Sequence, residues 1–404
     1  MNKKDHSHLS RRSFLQLGAT LTVGGNLHPT NADSVEQGNT KKKKHYSDAK
    51  VAIVRCKTYD EEIKKAYEHS FDLLGGIGKL VKNKTVTIKV NLTAFGDRPH
   101  RYDLGKPCET FITHGETAIA LTSVLLDNDA KRVRIVECAY TRNDFEILLE
   151  KAEWDIEALF SLGNVEIENT RNLGLGKSYS TLPVPGGGYL FSSFELNHSY
   201  QDTDVFISLA KMKNHTVAGV TLAMKNLFGI TPNTRYGSDA GNEDAIIGRM
   251  PLHGMRRRRR RRGGDQNPVI ELPGAKEGDF PNNPGYRIPR IIADICAARP
   301  IHLSIIDGIT AMSGQETPGR FNCAYTKPGV LITGLNPVST DAVATAVMGY
   351  ADPTAKQGTA PFIRGDNHIL LAQQSGLGTA DLSEIEVLGA TIKDVIYPYH
   401  KQDS

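Results

Sequence analysis

Cysteine is scarce in this chain, with five in 404 residues, an odd number, and no Cys-x-x-Cys pair. Cys56, Cys108, Cys138, Cys296 and Cys323 match neither a zinc site nor an iron–sulfur run. Three lie in or beside apolar strand and helix patterns, where a small buried thiol is the ordinary reading; any disulfide pairing stays open. Long apolar runs are also missing. The stretch from Phe14 to Leu27 is short and rich in Gly and Thr, whereas crossing a bilayer takes about 20 apolar residues, so no transmembrane anchor is expected in the mature chain. There is no phosphate loop either. Gly186, Gly187 and Gly188 form a glycine trio that no Lys-Ser/Thr pair and no helix pattern follows.

A dominant charge is absent too. Of 49 basic and 45 acidic residues, nine and four fall in residues 1–50, leaving 40 and 41 for the body. Seven of those 40 form one run, Arg256 to Arg262, without which the body holds 33 basic against 41 acidic residues. That balance excludes the footprint of a specific nucleic-acid partner. The arginine run reads as a solvated loop that attracts polyanions in a nonspecific, salt-dependent way.

What is present begins with an address. Ser10-Arg11-Arg12-Ser13-Phe14-Leu15-Gln16, followed by a weakly apolar stretch, is the pattern of a twin-arginine signal peptide. The expected division is a signal over residues 1–32, a polar linker over 33–50 and an α/β domain over 51–404. The expected partner is the twin-arginine export machinery, and the expected location is periplasmic or otherwise extracytoplasmic.

Apolar strand patterns alternate with helix patterns along the body: VAIVRC (51–56), a helix over 60–81, TVTIKVNL (85–92), a helix over 115–126, RVRIVE (132–137), a helix over 144–160 and VEIEN (165–169). A hairpin over 182–196 interrupts the alternation. It resumes with VFISLA (205–210), a helix ending near Phe228, a helix over 288–298, IHLSIID (301–307), GVLITGL (329–335), helices over 341–348 and 367–375, and IEVLG (385–389). Such alternation indicates a mostly parallel, doubly wound α/β sheet with flanking helices. Residues 229–289 lack periodicity and read as an irregular, lid-like insert.

Lysines sit where buried strands empty onto the sheet edge, the place where open α/β folds bind ligands. Lys89 and Asn91 end one strand; Lys211, Lys213 and His215 end another. If both strands are parallel these groups converge, balancing a phosphate or carboxylate or leaving one lysine as a base or Schiff-base amine. Lys225 and Asn226 follow in an otherwise apolar stretch, and Asp307 closes IHLSIID. Each has a plain alternative: a solvated loop lysine, a snorkelling amine, an Asp-Gly turn. His114, His215, His253 and Asp307 are the candidate ligands for a divalent ion, although no His-x-x-x-His spacing joins them. Ser339 or Thr340 is expected to cap the helix that Asp341 enters, with Asp341 complementing its dipole.

VTIKVNL, DVFISLAKMKNH (204–215), VTLAMKNLFG (220–229), IIDG (305–308) and NPVSTD (336–341) together resemble the bacterial family known as domain of unknown function 362. The resemblance spans about residues 85–349 and rests chiefly on KMKNH combined with VTLAMKNLFG. It implies a shared site at Lys89, Asn91, Lys211, Lys213, His215, Lys225, Asn226, Asp307 and Asp341 without naming its reaction. Some members of that family carry an appended two-cluster ferredoxin-like segment, which this chain lacks. The reading expected here is an enzyme acting on a small anionic ligand, with Lys213, His215 and Asp307 as catalytic groups and Lys89, Asn91, Lys211, Lys225 and Asn226 as binding groups, with or without a metal. A non-catalytic anion carrier and an iron–sulfur-linked redox partner are the alternatives.

Overall fold

A computed structural model describes residues 49–60, 62–93, 95–96, 104–254, 271–318 and 323–399. The expected signal peptide and the run Arg256 to Arg262 lie outside the described residues. The strands are β1 Lys50–Arg55, β2 Thr85–Lys89, β3 Arg132–Glu137, β4 Val165–Asn169, β5 Ser180–Pro183, β6 Ser193–Leu196, β7 Val205–His215, β8 Gly219–Thr221, β9 Leu303–Ser313, β10 Ala324–Thr326, β11 Val330–Gly334 and β12 Glu386–Gly389. Ten of them form one sheet in the order β12-β1-β11-β9-β7-β2-β3-β4, with β8 paired to β7 and β10 to β9. Within that path only β11 runs against the rest, being antiparallel to both β1 and β9. The fold is therefore the mostly parallel, helix-flanked α/β sheet that the alternation indicates, with one reversed strand.

Both faces of the sheet are covered, which is why its strands are Val- and Ile-rich without alternation. One face packs on the helices Glu62–Leu73 and Gly115–Asp127 through Tyr67, Phe71, Leu121 and Leu125. The other packs on the helices Pro284–Ala298 and Pro337–Val347 and on the β5–β6 hairpin, through Ile291, Ile295, Val343, Phe191 and Phe194. No helix among the described residues is long and apolar enough to cross a membrane.

Several elements depart from expectation for local reasons. The helix expected over 60–81 is two, Glu62–Leu73 and Gly78–Val81, separated by Gly75 and Gly76 at positive φ. The helix expected over 144–160 breaks into Phe145–Lys151 and Ile156–Ser161, with Glu153 at φ 63° between them. The insert over 229–289 is not structureless. It holds the short helix Asn233–Tyr236, a turn at Met250–His253 and the start of the helix Pro284–Ala298, which Asn283 caps by accepting from the Tyr286 N–H.

The main correction concerns Lys211 and Lys213. They are not in a loop beyond the strand: β7 continues through both to His215, and both side chains are fully buried. Register also separates the lysines that sequence proximity grouped. Lys89 pairs with Ser208 across the β2–β7 ladder, and Lys211 lies three positions further along. Side chains alternate faces with period two, so Lys211 projects from the opposite face to Lys89. On that face Lys211 Nζ donates to Asp307 Oδ2 at 3.0 Å, to the Cys108 carbonyl at 3.0 Å and to Tyr59 Oη at 2.6 Å. The Tyr59 hydroxyl in turn donates to Asp307 Oδ1 at 2.9 Å.

The Lys211–Asp307 pair has all its partners supplied by protein, so it ties β7 and β9 to the segment preceding the helix Gly115–Asp127. Asp307→Asn is expected to destabilise the fold by about 3 kcal/mol, since it strands a buried cation. Combining Lys211→Met with Asp307→Leu should recover most of that loss. Urea denaturation of the three proteins checks both statements.

Candidate functional site

The strand order reverses between β2 and β7. From β2 the chain moves outward to β3 and β4, whereas from β7 it moves the other way to β9 and β11. The crevice beyond the carboxyl ends of strands at such a reversal is where doubly wound sheets bind ligands. A cavity of about 210 Å³ lies at this point. It is smaller than the roughly 300–1,000 Å³ of pockets for drug-sized molecules, which suits a small metabolite.

Its floor is a buried ion pair. Lys89 Nζ, at the end of β2, lies 2.8 Å from Glu137 Oε1, at the end of β3. Glu137 also accepts from the backbone N–H groups of Leu92, at 2.8 Å, and Cys138, at 2.9 Å. Burial lowers the Lys89 pKa, and Glu137 pulls against that shift. Gly229 closes over the pair: a Cβ there would come within 2.9 Å of Lys89 Nζ, so a larger residue would push the amine from its present position.

Asn226 binds the floor together. Its Oδ1 accepts from Lys89 Nζ at 3.1 Å and from Asn91 Nδ2 at 2.9 Å, while its Nδ2 donates to the Lys89 carbonyl and to Ser208 Oγ, both at 3.1 Å. The short helix Ala223–Asn226 that carries it begins on Asp341. The two carboxylate oxygens of Asp341 accept from the Ala223 and Met224 N–H groups, each at 2.9 Å. This corrects the expected role of Asp341: it caps a neighbouring helix and does not serve the dipole of its own. The helix Pro337–Val347 is capped by Asn336, not by Ser339 or Thr340. Burial raises the Asp341 pKa to about 7 against the two N–H donors.

Lys225 is the exception among these lysines: it is half-buried, whereas Lys89, Lys211 and Lys213 are fully buried. Lys89 and Lys211 have carboxylate partners, and Lys213 Nζ donates to Asn91 Oδ1 at 3.0 Å and to the Phe111 carbonyl. Lys225 Nζ has no hydrogen bond or ion pair among the described residues and lies 4.8 Å from the centre of the Phe228 ring. Burial brings its pKa to about 8; Glu316 opposes the shift, and Arg249 and Lys89 add to it. Arg249 supplies a second cavity cation without a carboxylate partner among the described residues. Its guanidinium is fixed by the carbonyls of Thr231 at 2.6 Å and Gly229 at 3.1 Å and by Tyr140 Oη at 2.9 Å.

Two histidines complete the wall, and their backbone bonds set opposite tautomers. His215 Nδ1 accepts from the N–H groups of Val217 and Ala218, each at 3.1 Å. A nitrogen that accepts carries no proton, so the proton of neutral His215 is on Nε2. His253 Nδ1 lies 2.7 Å from the Arg249 carbonyl, which can only accept; the His253 proton is therefore on Nδ1 and its Nε2 is bare. Burial, with Lys225 adding to it, holds the His215 pKa well below the usual value, and burial likewise lowers that of His253. Glu316 is held ionised against its burial by the N–H and hydroxyl of Thr216, at 2.9 and 2.8 Å.

The cavity thus gathers Lys89, Asn91, His215, Lys225, Asn226 and His253 from the expected set. Lys211, Lys213, Asp307 and Asp341 do not line it. His114 stacks on Tyr59 at 3.8 Å, beside the Lys211–Asp307 pair, and burial followed by Lys211 takes its pKa down to about 4. The expected metal set His114, His215, His253 and Asp307 is therefore divided between two places, and no group of three or more His, Cys, Asp or Glu side chains suited to a metal occurs among the described residues. His215 also fits poorly as a ligand through Nε2, because its Nδ1 accepts two N–H bonds where a ligating histidine donates one. All five cysteines are free; Cys138, whose thiol donates to Asn233 Oδ1 at 3.0 Å, lines the cavity. Sequence reasoning missed Glu137, Arg249 and Glu316. Glu137 obeys the same strand-end rule that selected Lys89, whereas Arg249 and Glu316 occupy irregular segments without a local signal.

The sequence profile of the family described as "Domain of unknown function (DUF362)" matches residues 86–346, which includes every cavity element from β2 to Glu316. No curated protein matches the chain. Among solved structures, it is similar to a Thermotoga maritima protein solved by the Northeast Structural Genomics Consortium, at 14% identity and TM-score 0.35, over 72% of this chain and 60% of that one. It is also similar to the lactate racemase apoprotein from Thermoanaerobacterium thermosaccharolyticum, at 15% identity and TM-score 0.34, over 69% of this chain and 54% of that one.

Nitrogen-15 shifts from a histidine long-range correlation spectrum near pH 7.5 check the tautomers. His215 should show an unprotonated Nδ1 and His253 an unprotonated Nε2; two identical patterns would contradict the assignment.

Proposed function

The chain belongs to the domain of unknown function 362 family, and from that premise we propose that it is an enzyme acting on a small anionic molecule in the cavity between β2 and β7. The observation that carries this reading is the unpaired amine of Lys225 beside Arg249, two cations without a carboxylate partner among the described residues. A charge held partly out of water without a partner is costly, and an anionic ligand supplies the missing partner. Lys89 is already neutralised by Glu137 and serves as the floor. Proton handling falls to the histidines: His215 presents an N–H donor and His253 a bare nitrogen, the two complementary states that general acid–base chemistry needs. Both are neutral near pH 7 by burial, so neither cancels nor duplicates the cationic pair.

Compared with the expected catalytic set, His215 is retained. Lys213 and Asp307 become supports: Lys213 steadies Asn91, and Asp307 neutralises Lys211. The leader Ser10 to Gln16 supports export by the twin-arginine route, which would place the substrate outside the inner membrane. The ligand class is a small carboxylate or phosphate.

Titration calorimetry with oxalate, a dianion across the relevant pH range, tests the site. Lys225→Gln is expected to weaken binding by about 10- to 100-fold, the equivalent of one charge-assisted hydrogen bond. Affinity should fall as the pH rises through about 8, because the amine loses its proton there. Oxalate affinity unchanged in Lys225→Gln and flat with pH would sink the reading. His253→Gln should leave oxalate affinity largely intact, since His253 moves a proton and does not hold the anion.

A further inference from the structure

We infer that Lys225 is the nucleophile of this site, and that the anion it meets also carries a carbonyl group, an oxo acid or aldehyde acid that condenses with the Lys225 amine to form an imine. This rests on the anion-site reading above and narrows it to one chemistry. Four lysines lie around the ends of β2 and β7; Lys89, Lys211 and Lys213 are buried with their amines held by protein oxygen atoms, and Lys225 is half-buried. Lys211 and Lys213 do not line the cavity, and the Lys89 amine is turned to Glu137. Lys225 alone of the four faces the cavity with nothing but the Phe228 ring against it.

Its position is fixed from below. Asn226, the next residue, is held to Lys89, Asn91 and Ser208, and the helix start is held by Asp341, so the backbone cannot carry the amine away from the cavity. Arg249 is fixed across the same cavity by backbone carbonyls and fits the carboxylate of an oxo acid, as a planar donor does. A carboxylate on Arg249 and a carbonyl on Lys225 would then belong to one small molecule. Desolvation and neighbouring cations are the two means by which proteins make a lysine amine nucleophilic near neutral pH, and Lys225 has both.

The step balances without an oxidant or reductant. The neutral Lys225 Nζ attacks the carbonyl carbon; a C–N bond forms, and the carbonyl π pair moves onto oxygen. His253 Nε2 takes a proton from the resulting ammonium and returns it to that oxygen. The hydroxyl takes up a second proton and leaves as water, giving a protonated imine. One amine, one carbonyl and one proton thus become one iminium ion and one water. His215 Nε2–H stands as a hydrogen-bond donor to the carbonyl oxygen as charge develops on it.

Reductive trapping tests the proposal. The full-length protein is treated with glyoxylate or pyruvate and sodium borohydride near neutral pH, and the peptides are mapped by mass. The reduced adduct is expected at Lys225, exceeding that at the exposed Lys50 and Lys393 by roughly an order of magnitude, and excess oxalate should suppress it. Lys225→Arg keeps the charge and should bind oxalate without forming the adduct; Lys225→Met should lose both, with circular dichroism confirming that each variant is folded. An adduct spread evenly over surface lysines, while oxalate still binds in a Lys225-dependent manner, overturns the imine and leaves the anion site standing. Absence of any Lys225-dependent oxalate binding overturns both.

Discussion

The cavity depends on the ion pair between Lys89 and Glu137. These charges end adjacent parallel strands, where backbone hydrogen bonding runs out and both sheet faces are still dry. Removing two charges from water is costly unless every remaining donor and acceptor is satisfied. Here Leu92, Cys138, Asn226 and the Val90 carbonyl complete the set. That satisfaction orders more than the pair. It positions Asn226 in the short helix, and the small Gly229 leaves the pair in place while the insert closes over the floor. A hydrophobic floor would pack as well but would hold neither Asn226 nor the strand ends in this register.

The chemistry follows from unequal treatment of similar residues. Four lysines share a neighbourhood, but register sends Lys211 to the opposite face, and Asn91 Oδ1 and the Phe111 carbonyl occupy Lys213. The ion pair occupies Lys89. Among the described residues only Lys225 retains an amine with no hydrogen-bond partner. The histidines show the same division at the level of one proton. His215 and His253 differ in tautomer because different backbone groups face their Nδ1 atoms.

Much of the fold was legible because its strands are dense in Val and Ile and separated by helical periods. The direction of β11 was not, since GVLITGL reads alike in either orientation and its reversal is set by the short connection from β9 through β10. The location of the site was legible from lysines at strand ends. Its membership was not, for a physical reason: whether Lys89 and Lys211 share a face depends on the β2–β7 register, and a single chain segment does not carry the register of its partner. Asp341 had a sufficient local explanation as a helix-start acid, yet its carboxylate is taken by the N–H groups of Ala223 and Met224, more than a hundred residues earlier. Arg249 and Glu316 lie where periodicity vanishes, so only the folded chain reveals them.

The central claim is that the unpaired cations of this cavity await an anion. A crystal structure of the protein grown with oxalate examines it most directly. An oxalate ion is expected within hydrogen-bond distance of Lys225 Nζ and on the cavity side of Arg249, with the Lys89–Glu137 pair undisturbed. Oxalate bound elsewhere, or a cavity holding only water while Lys225 turns to Glu316, would contradict it.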